Sequence, residues 1–118
     1  MEKLFDSELK VMEIVWEREP VSAKDISLAA ADALGWNKNT TYTVIKKLVE
    51  KGVIRREDPG FVCSSLVSRR EAQKTETRRL AERLFGGSKK ALFSALLEDE
   101  KLSDDDIADL RRMIEERK

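Results

Sequence analysis

Histidine is absent from this 118-residue chain, and cysteine occurs once, as Cys63. Those two shortages remove most enzyme chemistry at the outset. A Ser/His/Asp or Cys/His nucleophile system needs an imidazole, and there is none. An intramolecular disulfide or a cysteine metal cluster needs more than one thiol, so neither is available. A transition-metal site would have to rely on carboxylates and one sulfur, and we expect no metal and no cofactor. Glycine is scarce, with five residues, and none of them forms a phosphate-cradling loop motif. No apolar run approaches membrane-spanning length, and the N-terminus lacks a secretory pattern. The expectation is a cytoplasmic protein without membrane insertion. Carboxylates are abundant, but they fall at helix starts and on polar faces rather than in the buried settings that acid–base catalysis requires. A protein that is not an enzyme is expected.

What the chain does contain is charge and amphipathic helix. Hydrophobic residues make up 41% and charged residues 39%, too apolar for general disorder and too charged for one large core. Several amphipathic helices in thin layers fit that balance. Net charge is zero, which taken alone argues against a nucleic-acid partner. Distribution overrides the total, because binding responds to local potential. Between Trp36 and Arg56, Lys38, Lys46, Lys47, Lys51, Arg55 and Arg56 stand against Glu50 alone. Between Glu98 and Asp109, seven carboxylates stand against Lys101. The middle of the chain is basic and its later part acidic.

The fold class expected is mainly α with a small β-hairpin. Leu9, Met12, Val15 and Trp16 recur at helical spacing, which predicts a first helix over Asp6 to Arg18, ended by Glu19-Pro20. Phe5 stands where its cap belongs but cannot cap, so Asp6 or Ser7 is expected to take that task. A second helix starts from a Ser22 cap with Asp25 three residues on and Val21 stapling to Ile26, and stops at Gly35. Only Gly35 and Trp36 precede the next cap, Asn37, which opens a helix over Lys38 to Glu50. Two helices joined through a three-residue, glycine-containing connection form a helix-turn-helix. After Gly52 the period turns extended: Val53 to Arg56, then Glu57-Asp58-Pro59-Gly60, then Phe61 to Val67. Asp-Pro-Gly between two β-prone runs predicts a short hairpin, and helix, turn, helix, hairpin is the order of a winged helix.

The helix after Asn37 is the most informative segment. At roughly 100° per residue, Thr41, Val44, Ile45 and Leu48 gather on one side, and Asn39, Tyr42, Thr43 and Lys46 on the other. That outer face carries an amide, hydroxyls and an amine, groups that hydrogen-bond base edges in a DNA major groove. It would make this the recognition helix. Lys38, Lys47, Lys51, Arg55 and Arg56 would mainly neutralise phosphates. The blander alternatives are a solvated helix face and arginines that only solubilise an exposed hairpin.

From Ser68 the pattern is helical again. Arg69 to Phe85 carries Leu80, Leu84 and Phe85, and Gly86-Gly87 breaks it. A helix capped by Ser88 carries Leu92, Phe93, Leu96 and Leu97. One capped by Ser103 carries Ile107, Leu110 and Ile114, with Met113 beside them. Each helix has one apolar stripe that it could not bury alone. Pairing these stripes between two chains would solve the problem, with a purely intramolecular bundle as the alternative. The domain organisation expected is a winged-helix DNA-binding domain over 1–68 and a helical dimerisation domain over 69–118.

In order along the chain, ELKVMEIVW (Glu8 to Trp16), VSAKDI (Val21 to Ile26), TTYTVIKKLVEKGVI (Thr40 to Ile54), SSLVSRRE (Ser64 to Glu71), LFGGSKKAL (Leu84 to Leu92) and LSDDDIADLRRMI (Leu102 to Ile114) resemble the penicillinase-repressor family, the BlaI and MecI type of bacterial winged-helix regulators. The resemblance runs essentially end to end. It implies a homodimeric, sequence-specific repressor of transcription that binds a dyad-symmetric double-stranded DNA operator. It also implies that Asn39, Thr40, Tyr42 and Thr43 occupy the reading positions and that the last three helices make the dimer. Tyr42 stands where better-known members carry a basic residue, Thr41 replaces an aliphatic one, and Cys63 falls where an aromatic is common. We expect Cys63 to be a small, half-buried side chain rather than a redox switch. In the penicillinase repressors, a membrane sensor protease or its downstream protease triggers cleavage at an Asn-Phe bond. The matching bond here is Ala95-Leu96, without those signature residues. The copper-responsive CopY branch ends in paired cysteines, and the EERK stretch here has none. The inducing signal, the operator and the controlled genes are not legible. A winged-helix protein-interaction adaptor that does not bind DNA is the alternative reading.

Overall fold

The computed structural model describes residues 2–99 and 101–117. Its elements run α1 (Asp6–Arg18), β1 (Val21–Ser22), α2 (Ala23–Leu34), α3 (Lys38–Glu50), β2 (Ile54–Glu57), β3 (Val62–Ser65), α4 (Arg69–Phe85), α5 (Lys89–Asp99) and α6 (Asp104–Glu116). Two compact units result, residues 1–76 and 77–118, so the first two turns of α4 belong with the winged part.

In the first unit, α1, α2 and α3 pack around one core. Val11, Met12 and Val15 come from α1, Ala23 and Ile26 from α2, and Val44, Ile45 and Leu48 from α3. Val53, Ile54 and Cys63 close it from the sheet side, and Ala72 from α4. The helical ends are set locally. Ser22 Oγ accepts the Asp25 N–H at 3.1 Å, and Asn37 Oδ1 accepts the Thr40 N–H at 2.8 Å. Gly35, with φ +70°, ends α2 in the left-handed conformation that glycine adopts without steric cost.

The start of α1 differs from the sequence expectation. Phe5 holds the N-cap position, and Asp6 and Ser7 lie inside the first turn. Neither of those two caps the helix. The Glu8 carboxylate reaches back instead and accepts the Phe5 N–H at 2.8 Å, supplying the half of a capping box that needs no cap side chain.

The sheet also holds more than the expected hairpin. It has three antiparallel strands in the order β1-β3-β2. β2 pairs with β3 from Ile54↔Ser65 to Glu57↔Val62, and β1 pairs on the other side of β3 at Val21↔Cys63 and Ser22↔Val62. A two-residue strand shows no alternation, and Ser22 reads first as a helix cap; here it is both. Val53 lies outside β2 but is buried, its N–H donating to the Leu48 carbonyl at 3.0 Å. With β3 in the centre, Cys63 is fully buried, not half-buried as expected.

The second unit is built from the later turns of α4, then α5 and α6. Ser88 and Ser103 cap α5 and α6 by accepting the Ala91 and Asp106 N–H groups at 3.0 Å each. Ala81 is the only buried residue among the described residues of this unit.

Candidate nucleic-acid interface

Packing decides which side of α3 faces out. With Thr41, Val44, Ile45 and Leu48 buried, the opposite side carries Lys38, Asn39, Thr40, Thr43, Lys46 and Lys47, all exposed, and Tyr42, half-buried. The first turn of α3 contains no acidic residue, so its N-terminal dipole is free to favour an anion. The Thr43 hydroxyl donates to the Asn39 carbonyl at 2.9 Å. Its oxygen lone pairs and methyl group remain on the surface. Thr41, buried, donates to the Asn37 carbonyl at 3.3 Å, which satisfies a hydroxyl that an aliphatic residue would not bring.

The wing cations have partners of their own. Arg55 pairs with Glu57 at 3.4 Å and Arg56 with Asp58 at 3.1 Å. These are solvent-facing pairs, which are weak and exchangeable for a phosphate. The Arg56 guanidinium also lies 3.6 Å from the centre of the Phe61 ring. Phe61 in turn meets the Tyr42 ring edge-on at 6.0 Å. α3 and the wing therefore touch through aromatic contacts.

Lys51 is the exception among the expected phosphate contacts. Its Nζ sits 2.7 Å from Glu8 Oε1, 3.0 Å from the Lys3 carbonyl and 4.7 Å from the centre of the Phe5 ring. It ties the end of α3 to the start of α1, so its ammonium already has a carboxylate partner. That pairing is not legible in the sequence, because a cation at a helix end looks the same whether it meets solvent or a carboxylate 43 positions away. Phe61 was read only as a strand residue; its non-glycine left-handed backbone, φ +49°, is what singles it out.

Cys63 carries no sign of reactivity. Burial pushes its thiol up from an ordinary 9.0 to about 11, with Arg56 pulling weakly the other way. In the native protein the thiol is expected to resist a water-soluble disulfide reagent at neutral pH and to react fully once denatured; rapid native reaction would show that β3 opens. The linkage has a definite sign. A pKa raised in the folded state contributes stability below pH 9, and that contribution is lost as pH rises through about 11.

In the second unit Leu80, Phe85, Leu92 and Leu110 are half-buried, while Leu84, Phe93, Leu96, Leu97, Ile107, Met113 and Ile114 are exposed. Ala95 is half-buried and Leu96 is 55% exposed, both within α5. No helix among the described residues is long and apolar enough to cross a membrane.

A helix-turn-helix whose second helix faces outward beside a three-stranded wing defines a winged-helix protein. The solved structure of the Bacillus licheniformis BlaI monomer in complex with the blaP half-operator shares this fold. The TM-score is 0.52 at 21% identity, covering 59% of this chain and 88% of that one. The chain belongs to the penicillinase repressor family, whose profile matches residues 4–116. Methicillin resistance regulatory protein MecI of Mammaliicoccus sciuri is 27% identical over 114 residues, 95% of this chain and 93% of that protein. An uncharacterized 16.5 kDa protein from the ptsI 3' region of Latilactobacillus sakei is 33% identical over 110 residues, 92% of this chain and 75% of that protein.

Proposed function

We propose that this chain is a cytoplasmic, sequence-specific DNA-binding repressor of transcription that acts as a homodimer on a dyad-symmetric operator. One observation carries the reading: α3 turns a ridge of Asn39, Thr40, Thr43, Lys46 and Lys47 to solvent beside the wing, with no acid in its first turn. The BlaI relative bound to its half-operator supports the same use of the fold. Asn39 suits adenine, and the Thr43 methyl suits thymine. Lys38, Lys47, Arg55 and Arg56 neutralise phosphates. The last three helices, over 69–118, form the dimer, since their apolar side chains are left exposed in a single chain. Relief through a sensor protease acting at Ala95-Leu96 is the family-derived part of this reading. That bond lies inside α5, so cleavage would require the helix to open locally.

Titrating random duplex DNA at several salt concentrations tests the core of the proposal. A steep loss of affinity with salt is expected, and no binding at low salt would favour the protein-adaptor reading. Lys47→Ala should weaken binding to every sequence and reduce the salt slope by about one. Asn39→Ala and Tyr42→Ala should each cost roughly 1–3 kcal/mol at one or two base pairs only. Selection from a randomised duplex pool separates those outcomes; unchanged preference in both variants would take Asn39 and Tyr42 out of the reading set.

A further inference from the structure

Phe61 is the one non-glycine residue with a positive φ among the described residues, at +49°. Bulky L side chains avoid that conformation, and it persists only where surrounding contacts impose it. Here the anchors are visible. The Phe61 carbonyl accepts the Ala23 N–H at 2.9 Å, which fixes the turn to the start of α2. With the backbone so held, the ring projects to the edge of Tyr42, 6.0 Å between centres and 86° between planes, a favoured geometry for aromatic pairs. Arg56 lies over the Phe61 ring at 3.6 Å, and Lys38 lies over the Tyr42 ring at 5.6 Å. An unbroken series, Lys38–Tyr42–Phe61–Arg56, thus joins the outer face of α3 to the wing. Among the described residues, the Tyr42 hydroxyl has no protein hydrogen-bond partner. Its ring is held and its polar tip is not.

We propose that Phe61 is a positioning residue for sequence reading: it holds the Tyr42 ring in one orientation, so that the base preference of α3 depends on a wing residue that need touch no base. The inference rests on the DNA-binding reading above. Its physical basis is pre-organisation. A tyrosine free to rotate loses conformational freedom when it engages a base, and that loss is the same for every base that lets it engage. A ring already fixed presents its hydroxyl at one place, and a base pair without a partner there is penalised.

The test uses the full chain and exploits the presence of a single tyrosine, which gives one set of ring signals in a tyrosine-labelled NMR sample. Phe61→Leu removes the ring, Phe61→Gly removes it while suiting the left-handed backbone, and Phe61→Trp keeps an aromatic edge without adding a second tyrosine. In the Leu and Gly variants the Tyr42 ring signals are expected to move toward rotationally averaged positions, and in Phe61→Trp they should stay un-averaged. On duplexes selected by the wild-type protein from a random pool, both should lose at least fivefold of the preference at the base pairs that Tyr42→Ala affects. Affinity for random duplex should stay within twofold. Adding Phe61→Leu to Tyr42→Ala should change preference no further. Unchanged ring signals, or unchanged preference in both ring-removing variants, overturns the proposal. If wild-type protein selects no sequence, the DNA reading falls and the proposal with it; the ring signals then show whether the Phe61 contact itself was real.

Discussion

Lys51→Met is expected to destabilise the protein by about 3 kcal/mol, one of the largest effects any single surface-reaching side chain should show here. The reason is the burial of its partner. The Glu8 side chain is 3% exposed, against 19% for Lys51, and its Oε1 accepts both the ammonium at 2.7 Å and the Phe5 N–H at 2.8 Å. Its Oε2 is buried with no hydrogen-bond partner. Removing the lysine leaves a buried carboxylate with no opposite charge and only the Phe5 N–H to stabilise it. Chemical denaturation would report the loss as a lower midpoint with an unchanged slope. The double variant Glu8→Met/Lys51→Met should recover most of it, because the desolvation cost goes with the charge. A single-variant loss below about 1 kcal/mol would mean the pair is screened like an exposed one.

The second large effect concerns assembly. Leu110→Asp/Ile114→Asp places two carboxylates on the apolar stripe of α6, where Ile114 is 51% exposed in a single chain. Sedimentation should show a monomer, while unit 1–76 keeps its cooperative unfolding and its affinity for a half-site. Affinity for the full dyad is then expected to fall by about 10²–10⁴, since the second site is no longer delivered at high effective concentration. A variant that stays dimeric would move the interface away from α6. A wild-type chain that is itself monomeric at micromolar concentration would remove the dimer from the proposed function.

The candidate site was legible in proportion to how local its determinants are. The bounds of α1, α3 and α4 follow from helical spacing, Pro20, Asn37 and Gly86-Gly87, each acting within a turn or so of where it stands. The outer face of α3 follows from the same spacing, because burying Val44, Ile45 and Leu48 leaves only one side for Asn39, Thr43 and Lys46. The Phe5 N-cap was misread because the acceptor came from inside the helix, at Glu8. β1 was missed because two residues carry no period, and Cys63 was assigned too much solvent because its side chain joins the core that the three helices close over the sheet.

Sequence alone determined the order of the helices and of the two hairpin strands, the caps supplied by Ser22, Asn37, Ser88 and Ser103, and the chemical character of the ridge. These depend on residues within about one helical turn of each other, where spacing and side-chain type act directly on the backbone. Tertiary structure decided that Lys51 belongs to Glu8, that Phe61 meets Tyr42, and that β3 lies between two strands. Each of those depends on a pair far apart in the chain. The energy of such a contact exists only once the core has brought both partners to one place, and neither residue carries any mark of the other beforehand.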